Sequence, residues 1–111
     1  MHIRRVDAGP YRKIRPTESR VGELINPQPN GDSAVWISTE GSPLADGTVV
    51  VMDGHRLLSN SAGNGASARV DPWILASPGE KPIFLERRYA DRIERSNVVY
   101  LEVIGQPPQV D

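Results

Sequence analysis

The sequence predicts one small, mostly β domain, a barrel or a sandwich of roughly six to eight short strands with one short helix near the C-terminus. Ten glycines and ten prolines stand among the 111 residues, a share above the roughly 12% of average proteins, and both residue types interrupt helices. Short alternating apolar runs lie between these breaks, as in strands joined by turns. No apolar run exceeds four residues, far below the roughly 18 that cross a bilayer.

Residues 1–20 are predicted to be a basic, proline-containing N-terminal arm that includes one or two edge strands. The arm has six basic and two acidic residues, whereas residues 21–85 have three basic and seven acidic ones. Opposite charges on arm and body favour attraction of the arm to nucleic acid, or to the body of a second copy. A solvated basic segment with no partner is the alternative.

Residues 21–105 are predicted to be the β-rich domain. Residues 21–25 and 34–39 are expected to be strands that pair around a turn at 29–32. The stretch TVVVMDGHRLLS, residues 48–59, predicts a hairpin, because aspartate followed by glycine fits a two-residue type I′ turn. This turn places Met52 opposite His55 and Val51 opposite Arg56, with apolar residues on both faces of the hairpin.

The C-terminal half predicts two further strands, a helix and a final strand. Residues 73–76 are expected to pair with residues 83–85 around a turn at 77–80. In LERRYADRIER, residues 85–95, Leu85, Tyr89 and Ile93 recur every four positions, which predicts an amphipathic helix. Residues 98–104 alternate as the final strand, and residues 106–111 are expected to form an extended tail.

Residues 59–67, SNSAGNGAS, are the one stretch that resembles a phosphate-binding loop. A phosphate cradle needs converging glycine amides followed by a helix N-terminus. Here the third glycine of a dinucleotide motif and the lysine of a P-loop are both missing, and the residues that follow predict a strand. We therefore expect a flexible hairpin loop, or a loop that is ordered only by a partner.

Catalytic, cofactor and metal sites are not predicted. The chain has two histidines and no cysteine, so a metal site would need converging ligands that the spacing does not offer. Asp53, His55 and Ser59 could form a nucleophilic group, but the hairpin register separates Ser59 from the turn. We expect no enzymatic activity and no small-molecule substrate.

Two non-enzymatic functions remain. The first is a structural subunit of a larger protein assembly that contacts its own copies, other subunits or both. Small β domains with extended arms are similar in architecture to accessory proteins of tailed-phage particles, namely head decoration, head-to-tail joining and tail proteins, although no motif here identifies such a family. The second is a nucleic-acid-binding small β-barrel that uses the arginine-rich arm.

The predicted partner-binding residues combine arm cations with the two tryptophans, and they are Arg4, Arg5, Tyr11, Arg12, Lys13, Arg15, Trp36 and Trp73. The tryptophans are expected to be core or interface anchors rather than platforms for bases. A second basic patch, Arg87, Arg88, Arg92 and Arg95, is expected on the helix. No apolar segment of a secretory signal follows the N-terminal cations, so we expect a cytoplasmic protein, with the virion as an alternative location.

Overall fold

The computed structural model describes residues 1–7, 18–20, 29 and 33–104, which form ten strands and one short 3-10 helix. The helix is Pro72–Ala76. The strands are β1 (His2–Asp7), β2 (Glu18–Arg20), β3 (Ser33–Glu40), β4 (Val49–Met52), β5 (His55–Arg56), β6 (Ser59–Ala62), β7 (Gly65–Val70), β8 (Gly79–Arg88), β9 (Ile93–Arg95) and β10 (Val99–Ile104).

The first sheet has four antiparallel strands in the order β1-β3-β7-β6. The strand predicted over residues 34–39 is confirmed as β3. Val35 and Ile37 are buried while Trp36 between them is exposed, which is the period of two expected for a strand with one covered face. In β1, a bulge between Ile3 and Arg5 shifts the register.

The second sheet has the order β2-β10-β8-β4-β5, and β9 pairs with β8 outside this path. All described pairs in this sheet are antiparallel except β2 with β10, which is parallel. Glu86 of β8 pairs with Val49 of β4 and also with Arg95 of β9, so β9 lies on the edge of β8 opposite β4. Since β10 pairs with the earlier part of β8, β9 and β10 follow one another along that edge.

Buried apolar residues of both sheets form one hydrophobic cluster, which contains Ile3, Val6, Val35, Ile37, Ala66, Ala68 and Val70 of the first sheet, Val50, Met52, Ile83, Leu85, Leu101 and Val103 of the second, and Leu57, Ile74 and Leu75 between strands. Each sheet therefore has an inner face on this core and an outer face away from it. The predicted β class is confirmed, and the described strands form two sheets without showing a closed barrel.

The hairpin predicted around Asp53 and Gly54 is confirmed. Both residues have positive φ, 51° and 82°, as a type I′ turn requires. Val51 pairs with Arg56 and Met52 with His55, the predicted register. The final strand is also confirmed as β10, with Leu101 and Val103 buried and Tyr100 and Glu102 exposed.

The predicted helix over residues 85–95 is wrong, because this stretch is the end of β8, a turn and β9. The amide of Tyr89 donates to the carbonyl oxygen of Arg92 at 2.8 Å and closes the turn. The hairpin does not keep the three residues on one face. Leu85 is buried in the core, whereas Ile93 pairs with Arg88 on the opposite face of the sheet and is 50% exposed.

The predicted strand over residues 73–76 is also wrong, because these residues belong to the 3-10 helix. Pro72 begins this helix, where its missing amide hydrogen costs no helical bond. Ile74 and Leu75 enter the core. The expected partner, residues 83–85, instead lies between β4 and β10, which pair with its two edges.

Residues 59–67, predicted to be a flexible hairpin loop, do form a hairpin, but its arms are the paired strands β6 and β7 rather than loop. Gly63 has a φ of 57° at the turn, the position at which a type II′ turn uses glycine. Ala66 and Ala68 are buried and belong to the hydrophobic cluster, so small side chains of this stretch are part of the core. Because a strand follows the glycines, the stretch has no helix N-terminus for a phosphate.

The first and last parts of the described chain are joined by Asn97, between β9 and β10. Its Oδ1 accepts a 2.6 Å hydrogen bond from the amide of Ile3, and its Nδ2 donates to the carbonyl oxygen of Ile3 at 3.2 Å. One side chain thus satisfies both backbone groups of a residue in β1. Among the described residues, no helix has the length and apolarity to cross a membrane.

The strand predicted over residues 21–25 and the tail over 106–111 lie outside the described residues. Within the predicted arm, β1 and β2 each lie at an edge of a sheet.

Candidate interaction surfaces

Four of the eight predicted partner-binding residues can be placed. Arg4 and Arg5 are exposed on β1, while Trp36 lies on β3 and Trp73 on the 3-10 helix. The two tryptophan side chains are 52% and 54% exposed, which excludes the core role and leaves the interface role as a prediction. The remaining four, Tyr11, Arg12, Lys13 and Arg15, lie outside the described residues.

Trp36 lies in the middle of the outer face of the first sheet. We call this surface the Trp36 face, defined by Arg5, Trp36, Ser38, Leu58, Asn60, Ala62, Ser67 and Arg69. Trp36 pairs with Ser67, which pairs with Asn60, and the adjacent row joins Arg5, Ser38, Gly65 and Ala62. Small residues beside the indole leave an open cleft of about 290 Å³.

Leu58 adds a second apolar side chain to the Trp36 face. Its carbonyl oxygen accepts a 3.0 Å hydrogen bond from the amide of Arg69, and its side chain is 77% exposed. The face therefore has two exposed apolar residues and polar or basic neighbours.

Trp73 lies elsewhere, at the tip of the β4–β5 hairpin. The rings of His55 and Trp73 meet edge to face, with centroids 4.4 Å apart. Asp53 at the same tip lies 3.7 Å from Nζ of Lys81. The structure thus separates the two predicted aromatic anchors.

Three arginines converge on Glu86 at the outer face of the second sheet. Glu86 Oε1 accepts hydrogen bonds from Nη1 of Arg56 and from Nε of Arg88, the latter at 3.0 Å, and Oε2 accepts from Nε of Arg95 at 2.9 Å. The Glu86 side chain is only 3% exposed, whereas the arginine side chains are 39–58% exposed. One carboxylate beneath three guanidinium groups leaves this end of the face positive.

The protonation of Glu86 reflects two opposing effects. Burial of the carboxyl disfavours its charged form and raises its pKa, but the hydrogen bonds from Arg95 and Arg88 and the nearby positive charges outweigh this effect. The pKa of Glu86 therefore lies below its ordinary value, and the carboxylate is ionised at neutral pH.

The outer face of the second sheet changes in character along β8. Residues of β8 at alternate positions point away from the core, and the register pairs Glu102 with Glu80, Tyr100 with Pro82, Val51 with Phe84, and Arg95 with Glu86. We call this surface the Glu86 face, defined by Val51, Arg56, Glu80, Pro82, Phe84, Glu86, Arg88, Arg95, Tyr100 and Glu102. It has an acidic end, an apolar centre and a basic end.

The basic patch predicted on a helix is divided by the hairpin. Arg88 and Arg95 reach Glu86, whereas Arg87 and Arg92 stack on Tyr89, at 4.7 Å and 4.2 Å from the ring centroid. Arg87 and Tyr89 line an open cleft of about 390 Å³ together with His2, Glu40 and Glu94. Because acidic and basic side chains both line this cleft, it has no dominant charge that would select a ligand.

The residues considered for catalysis have other contacts. Ser59 Oγ donates to the carbonyl oxygen of Leu57 at 2.8 Å and accepts from the amide of Val50 at 2.9 Å, so this hydroxyl helps hold the hairpin. His55 packs on Trp73. Over the described ranges, no three histidine, aspartate or glutamate side chains are grouped as metal ligands.

Sequence reasoning missed the residues that organise the Glu86 face. Glu86 lay inside the predicted helix, where it had no reason to meet Arg56, which is 30 residues away in sequence. The available signal was the alternation of residue types from Glu80 to Arg88. Interpreting this stretch as a strand would have placed Phe84, Glu86 and Arg88 on one face. Comparisons with protein-family models, with curated proteins and with solved structures find no match for this chain.

Proposed function

We propose that this chain is a non-enzymatic structural subunit of a larger protein assembly, contacted by neighbours on both the Trp36 face and the Glu86 face. The observation that supports this proposal is the exposure of apolar and aromatic side chains outside both sheets. Trp36 and Leu58 are exposed on one face, and Tyr100, 51% exposed, on the other. Aromatic residues are enriched at protein interfaces, and two such faces suit a subunit with neighbours on two sides.

The assembly we propose is of the kind that includes head decoration, head-to-tail joining and tail proteins of phage particles. The basis is architectural: a small β domain, edge strands near the N-terminus and a basic first segment. Edge strands have backbone N–H and C=O groups to which a strand of a neighbouring chain can hydrogen-bond. In this proposal the partners are other protein subunits and copies of the chain itself.

The test is the mass of the full-length chain in solution, measured by light scattering across a range of concentrations. We expect masses above that of a dimer, because two contact faces allow growth beyond a pair. Trp36→Ser and Leu58→Ser should lower the limiting mass, whereas Asn60→Ser, a polar change on the same face, should not. A monomer at every concentration, or a mass unaffected by Trp36→Ser and Leu58→Ser, would refute the two-face role.

The second candidate function is nucleic-acid binding. The observation that favours it is Trp36 beside an open cleft, with Arg5 in the adjacent cross-strand row. An exposed indole can stack on a base while guanidinium groups contact phosphates. Tryptophan fluorescence titrated with a single-stranded oligonucleotide should then be quenched at low salt in the wild type, and less in Trp36→Ser. Equal quenching in both proteins would count against this function.

A further inference from the structure

The Glu86 face has opposite charges at its two ends. At one end, Glu80 and Glu102 are exposed and directly paired in register. At the other end, three guanidinium groups surround one buried carboxylate. The two ends therefore have charges of opposite sign.

The centre of the face is apolar. Pro82 and Phe84 alternate along β8 between the charged ends, and Tyr100 lies opposite Pro82 with half of its side chain exposed. Glu80 and Glu86 are six residues apart, which is about 20 Å along a strand. Ile83 is at the midpoint of this distance.

We propose that the Glu86 face is a self-complementary contact at which two copies of this chain pair about a two-fold axis. The axis would lie in the plane of the face, perpendicular to β8 and level with Ile83. This operation places Glu80 of one copy over Glu86 and its three arginines in the other copy, and Pro82 over Phe84. It also places Arg95 of β9 in one copy over Glu102 of β10 in the other. The inference rests on the proposed function, because it names one of its contacts.

Charge selects this orientation over its alternative. An axis parallel to β8 would place the two acidic ends together and the two basic ends together, and the repulsion at each end would destabilise the dimer. The perpendicular axis brings each acidic end to a basic end, twice in one dimer, as an isologous contact requires. Arg88 and Arg95 bind Glu86 through Nε. Within the described part of the chain, their Nη atoms donate no hydrogen bond, so they can reach a partner's carboxylates.

The area of the contact predicts a weak dimer. The patch is about 20 Å long and three strands, about 14 Å, wide, which is less than the roughly 800 Å² per partner of a standard interface. We therefore expect dissociation in the micromolar range or weaker, so the measurement must extend to about 1 mM protein.

The test is sedimentation equilibrium of the full-length chain from about 10 µM to about 1 mM, at about 0.05 M and about 0.5 M salt. We expect self-association that weakens at high salt. Glu80→Lys should raise the dissociation constant of this contact at least tenfold, and so should Tyr100→Ser. Asp46→Lys is the matched control, since it makes the same charge change at an exposed loop position outside this face and should leave association unchanged.

A charge exchange tests the orientation itself. The Arg95→Glu variant alone should not self-associate through this face. Mixing it with a Glu80→Lys, Glu102→Lys double variant should give a heterodimer at low salt. Circular dichroism checks that each variant folds, and Arg88→Glu replaces Arg95→Glu if that variant unfolds. Failure of the mixture to associate while the wild type does would overturn the perpendicular axis.

The outcomes separate this inference from the proposed function. If Trp36→Ser weakens association but Glu80→Lys and Tyr100→Ser do not, the two-fold contact is wrong and the assembly role stands. If association stops at two chains and only the Glu86-face variants reduce it, the contact stands and the larger assembly is wrong. A wild-type monomer at about 1 mM in both salts overturns both.

Discussion

Replacing the buried carboxylate in Glu86→Gln should destabilise the fold by about 3 kcal/mol. The change removes three charge-assisted hydrogen bonds, from Arg56, Arg88 and Arg95. Each contributes about 1.5 kcal/mol, the low end for bonds to charged groups, because water can replace the lost partner of these half-exposed guanidinium groups. Relief of the desolvation penalty of the carboxylate offsets about 1–2 kcal/mol of the loss.

The assay is urea unfolding followed by fluorescence of the two tryptophans at low protein concentration. With a slope of about 1.5 kcal/mol per M, the unfolding midpoint should fall by about 2 M. Glu94→Gln is the matched control, because Glu94 is an exposed carboxylate that lies 3.4 Å from Arg92, and the loss of this ion pair should cost less than about 0.5 kcal/mol. A Glu86→Gln change as small as that of the control would refute the reasoning.

The same pair of proteins should differ less at acidic pH. Because the pKa of Glu86 is lowered in the folded state, its ionised form stabilises the fold above the unfolded pKa, near 4.5, and this stabilisation is lost as pH falls through the folded pKa. The difference in unfolding free energy between wild type and Glu86→Gln should therefore shrink below pH 4.5. A constant difference down to acid unfolding would contradict this assignment.

Further predictions concern the turn, the core and a buried hydroxyl, all measured by urea unfolding. Gly63→Ala should cost about 1 kcal/mol because Gly63 has a φ of 57°, whereas Gly65→Ala should cost less, since its Cβ would meet only ordinary contacts at 3.5 Å. Leu85→Ala should cost about 3 kcal/mol, because Leu85 is fully buried, and Leu58→Ala, at an exposed position, less than about 0.5 kcal/mol. Thr39→Val should stabilise the fold by about 1 kcal/mol, because the buried Oγ1 has no hydrogen-bond partner in the described part of the chain. Equal destabilisation by Gly63→Ala and Gly65→Ala, or by Leu85→Ala and Leu58→Ala, would contradict these assignments. So would a Thr39→Val protein that is less stable than the wild type.

Local turn chemistry and strict alternation were the sequence signals that predicted structure well. Asp53 followed by Gly54 defines both the turn and the register of its hairpin, because few residue pairs tolerate positive φ at both positions. Alternation of apolar residues in residues 34–39 and 98–104 likewise defines which side faces the core. These signals depend on neighbours within a few residues, and the sequence contains that information.

The wrong predictions arose where a pattern fitted two structures or where distant residues decided the outcome. The spacing of Leu85 and Ile93 indicated one apolar helix face, but pairing of β8 with β4 and β10 makes Leu85 part of a strand, and Ile93 is exposed on β9. In residues 59–67, small side chains indicated a loop, but pairing of β7 with β3 and β6 makes this stretch a strand and buries Ala66 and Ala68 in the core. The Glu86 cluster joins residues from three strands, and no spacing within one segment could predict that arrangement.

The two hydrogen bonds between Asn97 and the backbone of Ile3 also determine when β1 is completed during synthesis. The partners are 94 residues apart in the chain, and translation proceeds at roughly 5–20 residues per second. On the ribosome, Ile3 therefore waits on the order of 5 to 20 seconds for the side chain that satisfies its amide and carbonyl groups. During that interval the amide and carbonyl groups of Ile3 are open to water, to chaperones or to neighbouring nascent chains.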